Sequence, residues 1–84
     1  MEKEFISCIL PQSKINASII EGKGLHYFKA LEASNGNTAI LIKALIIELT
    51  RIEQKSINEQ FLNDLHIRDV IRLTDIINLM VSEL

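Results

Sequence analysis

Apolar residues crowd the middle of the chain: between Ala39 and Leu49 only Lys43 and Glu48 carry charge. On a helical wheel of about 100° per residue, Leu41, Ile42, Leu45, Ile46, Leu49 and Ile52 form a broad apolar arc, while Ile40, Ala44 and Ile47 fall among Lys43, Glu48, Thr50 and Arg51. The pattern predicts a helix from Asn37 to Ile52 that is apolar almost all round. Such a helix must be covered on more than one face, by its own chain or by another.

The flanking segments supply candidate cover. Phe5 to Leu10 is β-branched and aromatic-rich, Pro11-Gln12-Ser13 breaks it, and Lys14 to Ile20 alternates polar with apolar, which is the period of a strand. A β-hairpin over residues 5–20 follows. Gly22-Lys23-Gly24 marks the change to helical period, and Leu25, Phe28 and Leu31 then share one stripe of a helix from Leu25 to Ala33. Gly36 suits a left-handed stop, and Asn37 suits a cap on the central helix. After the polar connector Glu53-Gln54-Lys55, Ser56-Ile57-Asn58-Glu59 has the form of a capping box. The short helix it opens breaks near Leu65-His66. From Ile67 on, Val70, Leu73, Ile77, Met80, Val81 and Leu84 share a face opposite Arg68, Arg72, Asp75, Ser82 and Glu83, with Ile71 on the polar side.

The expected architecture is therefore α+β and mostly helical: one domain over residues 1–84, with an N-terminal β-hairpin at 5–20 packed on three to four helices within 25–84. A chain of 84 residues is near the lower size for a self-sufficient core. With 48% hydrophobic residues and no Trp, that core must be Ile and Leu, and the surplus points to an interface. Ile40, Ala44, Ile47 and Ile71 are the candidate partner-binding residues, for a second protein or a homo-oligomer.

Charge and chemistry narrow the function. A net charge of −2 offers no field for phosphate backbones, and Arg68 and Arg72 stand beside Asp69 and Asp75, so the last two helices make a poor helix-turn-helix and nucleic acid is not an expected partner. The central run falls short of the roughly 20 apolar residues that span a bilayer, and Pro11 ends the N-terminal run too early for a secretory signal. No membrane contact is expected, and a single cysteine, Cys8, fits a reducing compartment such as the cytoplasm. Gly22-Lys23-Gly24 lacks the length and the Lys-Ser/Thr ending of a phosphate loop. His26 and His66 have no partner motif for a metal, Cys8 has no nearby cation to activate it, and Asp64, Asp69 and Asp75 are spaced as solvated surface. No catalytic residue, cofactor or metal ligand is expected, and the chain does not look like an enzyme.

The order of features resembles the small tail assembly chaperones of tailed bacteriophages, of the Mu-like kind, from about Ile15 to the end. The part most similar to that family is Ser56-Ile57-Asn58-Glu59-Gln60-Phe61-Leu62 followed by Leu65 and Asp69; the connector Glu53-Gln54-Lys55 departs from it in having no glycine. The resemblance implies a non-catalytic protein of the bacterial host cytoplasm that binds the tape measure protein, or another phage tail protein, through apolar helix surfaces. A structural tail or baseplate subunit and a small DNA-binding regulator are the alternatives.

Overall fold

The computed structural model describes residues 3–82. Its elements are β1 (Glu4–Ile9), β2 (Asn16–Ile20), α1 (Gly24–Ser34), α2 (Thr38–Leu49), β3 (Thr50–Ile52), β4 (Lys55–Ser56), α3 (Glu59–Asp64) and α4 (Ile67–Ser82). The fold is α+β and mostly helical, with the expected antiparallel hairpin β1-β2 and four helices. The hairpin closes where Leu10 N–H donates to the Ile15 carbonyl at 2.8 Å, and Lys14 takes a left-handed φ of 64° to make the bend.

The hairpin is half of a larger sheet. The strands run β1-β2-β3-β4, each antiparallel to its neighbour, with Ala17 opposite Ile52 and Ile19 opposite Thr50. The central helix accordingly stops at Leu49 rather than Ile52: the chain passes from α2 into β3 with no loop between them. Thr50 donates its N–H back to the Ile46 carbonyl as the C-cap and at once takes extended backbone. Glu53 and Gln54, both left-handed at φ 52° and 67°, then turn the chain into β4, the backbone of a two-residue type I′ hairpin.

One row of the sheet faces the helices: Ala17, Ile19 and Thr50 are buried, with Ile6, Cys8 and Ile52 half-buried beside them. This row joins Leu45, Ile46 and Leu49 of α2 and Leu73, Ile76 and Ile77 of α4 in a single core, to which Leu10, Ile57 and Leu62 add. Ile76 is a core residue that the wheel reading passed over, whereas Val81, assigned to the buried stripe, is exposed. Glu83 and Leu84 lie outside the described residues. No helix among the described residues is long and apolar enough to cross a membrane.

The contact between α1 and α2 differs from expectation. Leu25 and Phe28 are 70% and 67% exposed and Leu31 is also exposed, while Ala30 and Ser34 are buried. Small side chains let two backbones approach closely, and here that contact sets the rotation of α1 and turns its apolar stripe outward. Ser34 also ties the joint together, since its hydroxyl donates to the Leu31 carbonyl at 2.8 Å and accepts from the Gly36 N–H at 3.3 Å. Gly36 is left-handed, as expected, and Asn35 before it takes the same region. Lys29 and Glu48 add an ion pair between the two helices at 3.6 Å.

Candidate functional site

The caps on the helices position the surfaces around α2. Asn37 accepts the Ile40 N–H at 3.1 Å, as its place in the sequence predicts. The cap of α3 is a correction: Ser56 lies in β4, and Asn58 is the residue that accepts from Phe61 N–H, at 2.8 Å. Glu59 is thereby released from any capping role and turns to Lys43 of α2, with which it forms an ion pair at 2.9 Å.

That ion pair adjoins two apolar grooves, one on each flank of α2, which share Lys43. The larger, about 600 Å³, lies among α2, α3 and α4 and is lined by Ala39, Ile42 and Ile46 on one side and Leu62, Leu65 and Val70 on the other. Its polar lining is Lys43, Asn63 and Thr74. Thr74 turns its hydroxyl hydrogen to the Val70 carbonyl at 2.8 Å, a bond within α4. The smaller, about 450 Å³, is lined by Ala33, Ile40, Ala44, Ile47 and Ile57, with Asn58 and Glu59 at one side.

The smaller groove brings together three of the four residues singled out in the sequence. Ile40 is 46% exposed and Ala44 and Ile47 are half-buried, so the strip is only partly covered by its own chain. Ile71 does not join them. It is 53% exposed on α4, one turn on from Ile67, whose side chain borders the larger groove. The residues of the larger groove were missed as a site because Ile42 and Ile46 belong to the arc assigned to the core. The available signal was the break at Leu65-His66, which separates α3 from α4 and keeps both helices from closing over Ile42.

The titratable side chains elsewhere hold structure. His26 accepts the Lys23 N–H on Nδ1 at 3.0 Å, and His66 accepts the Arg68 N–H on Nδ1 at 3.1 Å, so each imidazole fastens a helix start. His26 also takes up a donor of the Gly22-Lys23-Gly24 turn that an anion would need. Gly22 serves close packing instead: a Cβ there would stand 3.1 Å from the Met80 sulfur and 3.4 Å from Leu49. Asp69 corrects the surface reading. It is fully buried, and its two carboxylate oxygens accept the N–H groups of Gln12 and Ser13 at 2.8 and 3.0 Å. Burial opposes its ionisation, but those bonds, the Ser13 hydroxyl and the electrostatic influence of His66 outweigh burial and hold the carboxyl below the usual range. Among the described residues no three of His, Cys, Asp and Glu are grouped to hold a metal ion.

Compared with known proteins, the chain matches no family model, no curated protein and no solved structure.

Proposed function

We propose that the protein is a non-catalytic binding protein that receives an amphipathic helix of a partner in the groove among α2, α3 and α4. On the resemblance described above, the partner is the tape measure protein of a phage tail and the protein is its assembly chaperone. The observation that carries this reading is the partly exposed apolar lining on both flanks of α2, with half-buried Ile42, Leu65 and Val70 in one groove and Ile40, Ala44 and Ile47 in the other. Helix-in-groove recognition needs such a trough, long enough to take apolar side chains spaced by one turn. The larger groove holds no carboxylate, imidazole or thiol, and its one charge, Lys43, is already paired with Glu59. Such a lining suits binding and leaves no acid/base pair for a reaction.

The test is co-expression with the long helical protein encoded in the same phage or prophage region, followed by co-purification. Wild-type protein should carry the partner through purification. Ile67→Glu, at an exposed position on the rim of that groove, and Ile42→Glu should each lose it while the far-ultraviolet circular dichroism stays unchanged. A partner that does not co-purify with the wild type overturns the reading.

The exposed Leu25 and Phe28 favour a second reading, a structural subunit whose outward stripe is covered in a finished tail. Mass spectrometry of purified particles separates the two, since an assembly chaperone should be missing from them and a subunit present.

A further inference from the structure

We propose that the free edge of β1 pairs antiparallel with β1 of a second copy of this chain, joining two four-stranded sheets into one of eight. β1 stands at one end of the strand order, so among the described residues no strand pairs with its outer side. Leu10 bonds inward to Ile15, and antiparallel ladders alternate; Ile6 and Cys8 therefore turn their backbone N–H and C=O groups to β2, and Ser7 and Ile9 turn theirs outward.

The two edges of the sheet are not alike. At the far end β4 is two residues long and carries Lys55, both of which discourage pairing. β1 has six residues, and from Phe5 to Ile9 it contains no charge and no proline. Its one protective device is a bulge between Glu4 and Ile6, where the register moves from Glu4 opposite Ile20 to Ile6 opposite Ile19, so the strand is regular from Ile6 onward.

The order of residue types identifies the occupant. A two-fold axis brings residue i of one copy opposite residue j of the other and j opposite i, and Phe5-Ile6-Ser7-Cys8-Ile9, with two apolar residues on either side of a serine, then sets apolar residues opposite apolar ones. With Ser7 placed opposite Ser7 of the second copy, Ile9 (66% exposed) comes level with the bulge residue Phe5 (39% exposed) of the other copy. On the inner face Ile6 lies beside Cys8, both half-buried, and extends the core row of the sheet. In this register no charged residue stands opposite another along Phe5 to Ile9, and Glu4 comes opposite Leu10 of the other copy.

The test is sedimentation equilibrium of the full chain over a concentration series, with Ile9→Lys and Ser7→Pro as variants. Ile9 is exposed, and the Ser7 N–H faces outward, so neither change removes a ladder bond within one copy. Wild type should be a reversible dimer, and each variant should raise the dissociation constant about tenfold or more, while dilute samples keep the wild-type circular dichroism spectrum. Ser7→Cys combined with Cys8→Ser should form a covalent dimer on mild oxidation, because directly opposed residues have Cα atoms about 5.5 Å apart. A monomer at every concentration, or a dimer indifferent to both Ile9→Lys and Ser7→Pro, overturns the proposal; a dimer whose Ser7→Cys, Cys8→Ser form does not cross-link overturns the register. The groove variant Ile42→Glu should leave this dimer intact, which separates a failure here from a failure of the binding function.

Discussion

The Asp69 carboxylate accepts the backbone N–H of Gln12 at 2.8 Å, fastening the turn of the N-terminal hairpin to the first turn of α4 across 57 positions of sequence. The same carboxylate takes the Ser13 N–H with its other oxygen. Two donors in a tight loop, with no strand to pair them, are satisfied by one buried side chain.

This arrangement predicts a pH dependence. The folded-state pKa of Asp69 is lowered, so the group contributes stability above its unfolded value of about 3.9, and that contribution disappears as the pH falls through the lower folded value. Asp69→Asn removes the charge and keeps the shape. It should lower the thermal midpoint near neutral pH, and the gap to wild type should narrow steadily below about pH 4. A gap that stays constant into acid would show that the ionised carboxylate is not the stabilising form.

Thr50 carries a second prediction. Its hydroxyl is buried without a hydrogen-bond partner, at the point where α2 becomes β3. Thr50→Val removes that orphan group at nearly constant shape and should stabilise by about 1 kcal/mol, whereas Thr50→Ser keeps the hydroxyl, loses the methyl and should destabilise. Urea denaturation midpoints at unchanged m-value measure both.

The Glu53-Gln54 turn is left-handed at both residues without a glycine or an asparagine. Left-handed backbone costs an ordinary side chain about 1 kcal/mol, so Gln54→Gly should raise stability by a similar amount, and Gln54→Val should lower it. Thermal melting of the three proteins gives the order directly.

The start of α3 separates two residues that the sequence presents as rivals. Asn58→Ala should cost about 1 kcal/mol through loss of the bond to the Phe61 N–H, while Ser56→Ala, on an exposed strand residue, should stay within about 0.5 kcal/mol of wild type. Equal losses at the two positions would restore the Ser56 cap.

What local pattern encodes was legible beforehand. The hairpin follows from alternation between Lys14 and Ile20, the Asn37 cap from its position before an apolar run, and the break near Leu65-His66 from the short apolar run before it and the stronger pattern from Ile67 on. The end of α2 was not legible, because Ile52 continues the apolar arc of the helix as well as it fills a strand, and only pairing with Ala17 decides between them. The outward turn of Leu25 and Phe28 was hidden for a related reason: hydrophobicity ranks them above Ala30 and Ser34, but close approach to α2 selects small side chains. Asp69 shares its spacing with ordinary surface aspartates, and its partners, Gln12 and Ser13, are distant in sequence. At the candidate site, Ile40, Ala44 and Ile47 stood out as surplus beside Lys43. The larger groove depends on how far α3 and α4 stand from Ile42, a distance that no periodicity records.

The absence of any residue between Leu49 and Thr50 has a mechanical consequence. A loop acts as a slack hinge, and here there is none: α2 and β3 form a single lever, with the grooves along one arm and the strands leading to β1 at the other. Rotation of α2 under a bound helix would have to be carried as torsion into the sheet. Hydrogen exchange at the β2-β3 ladder would register that torque, although no atom of the ladder touches the groove.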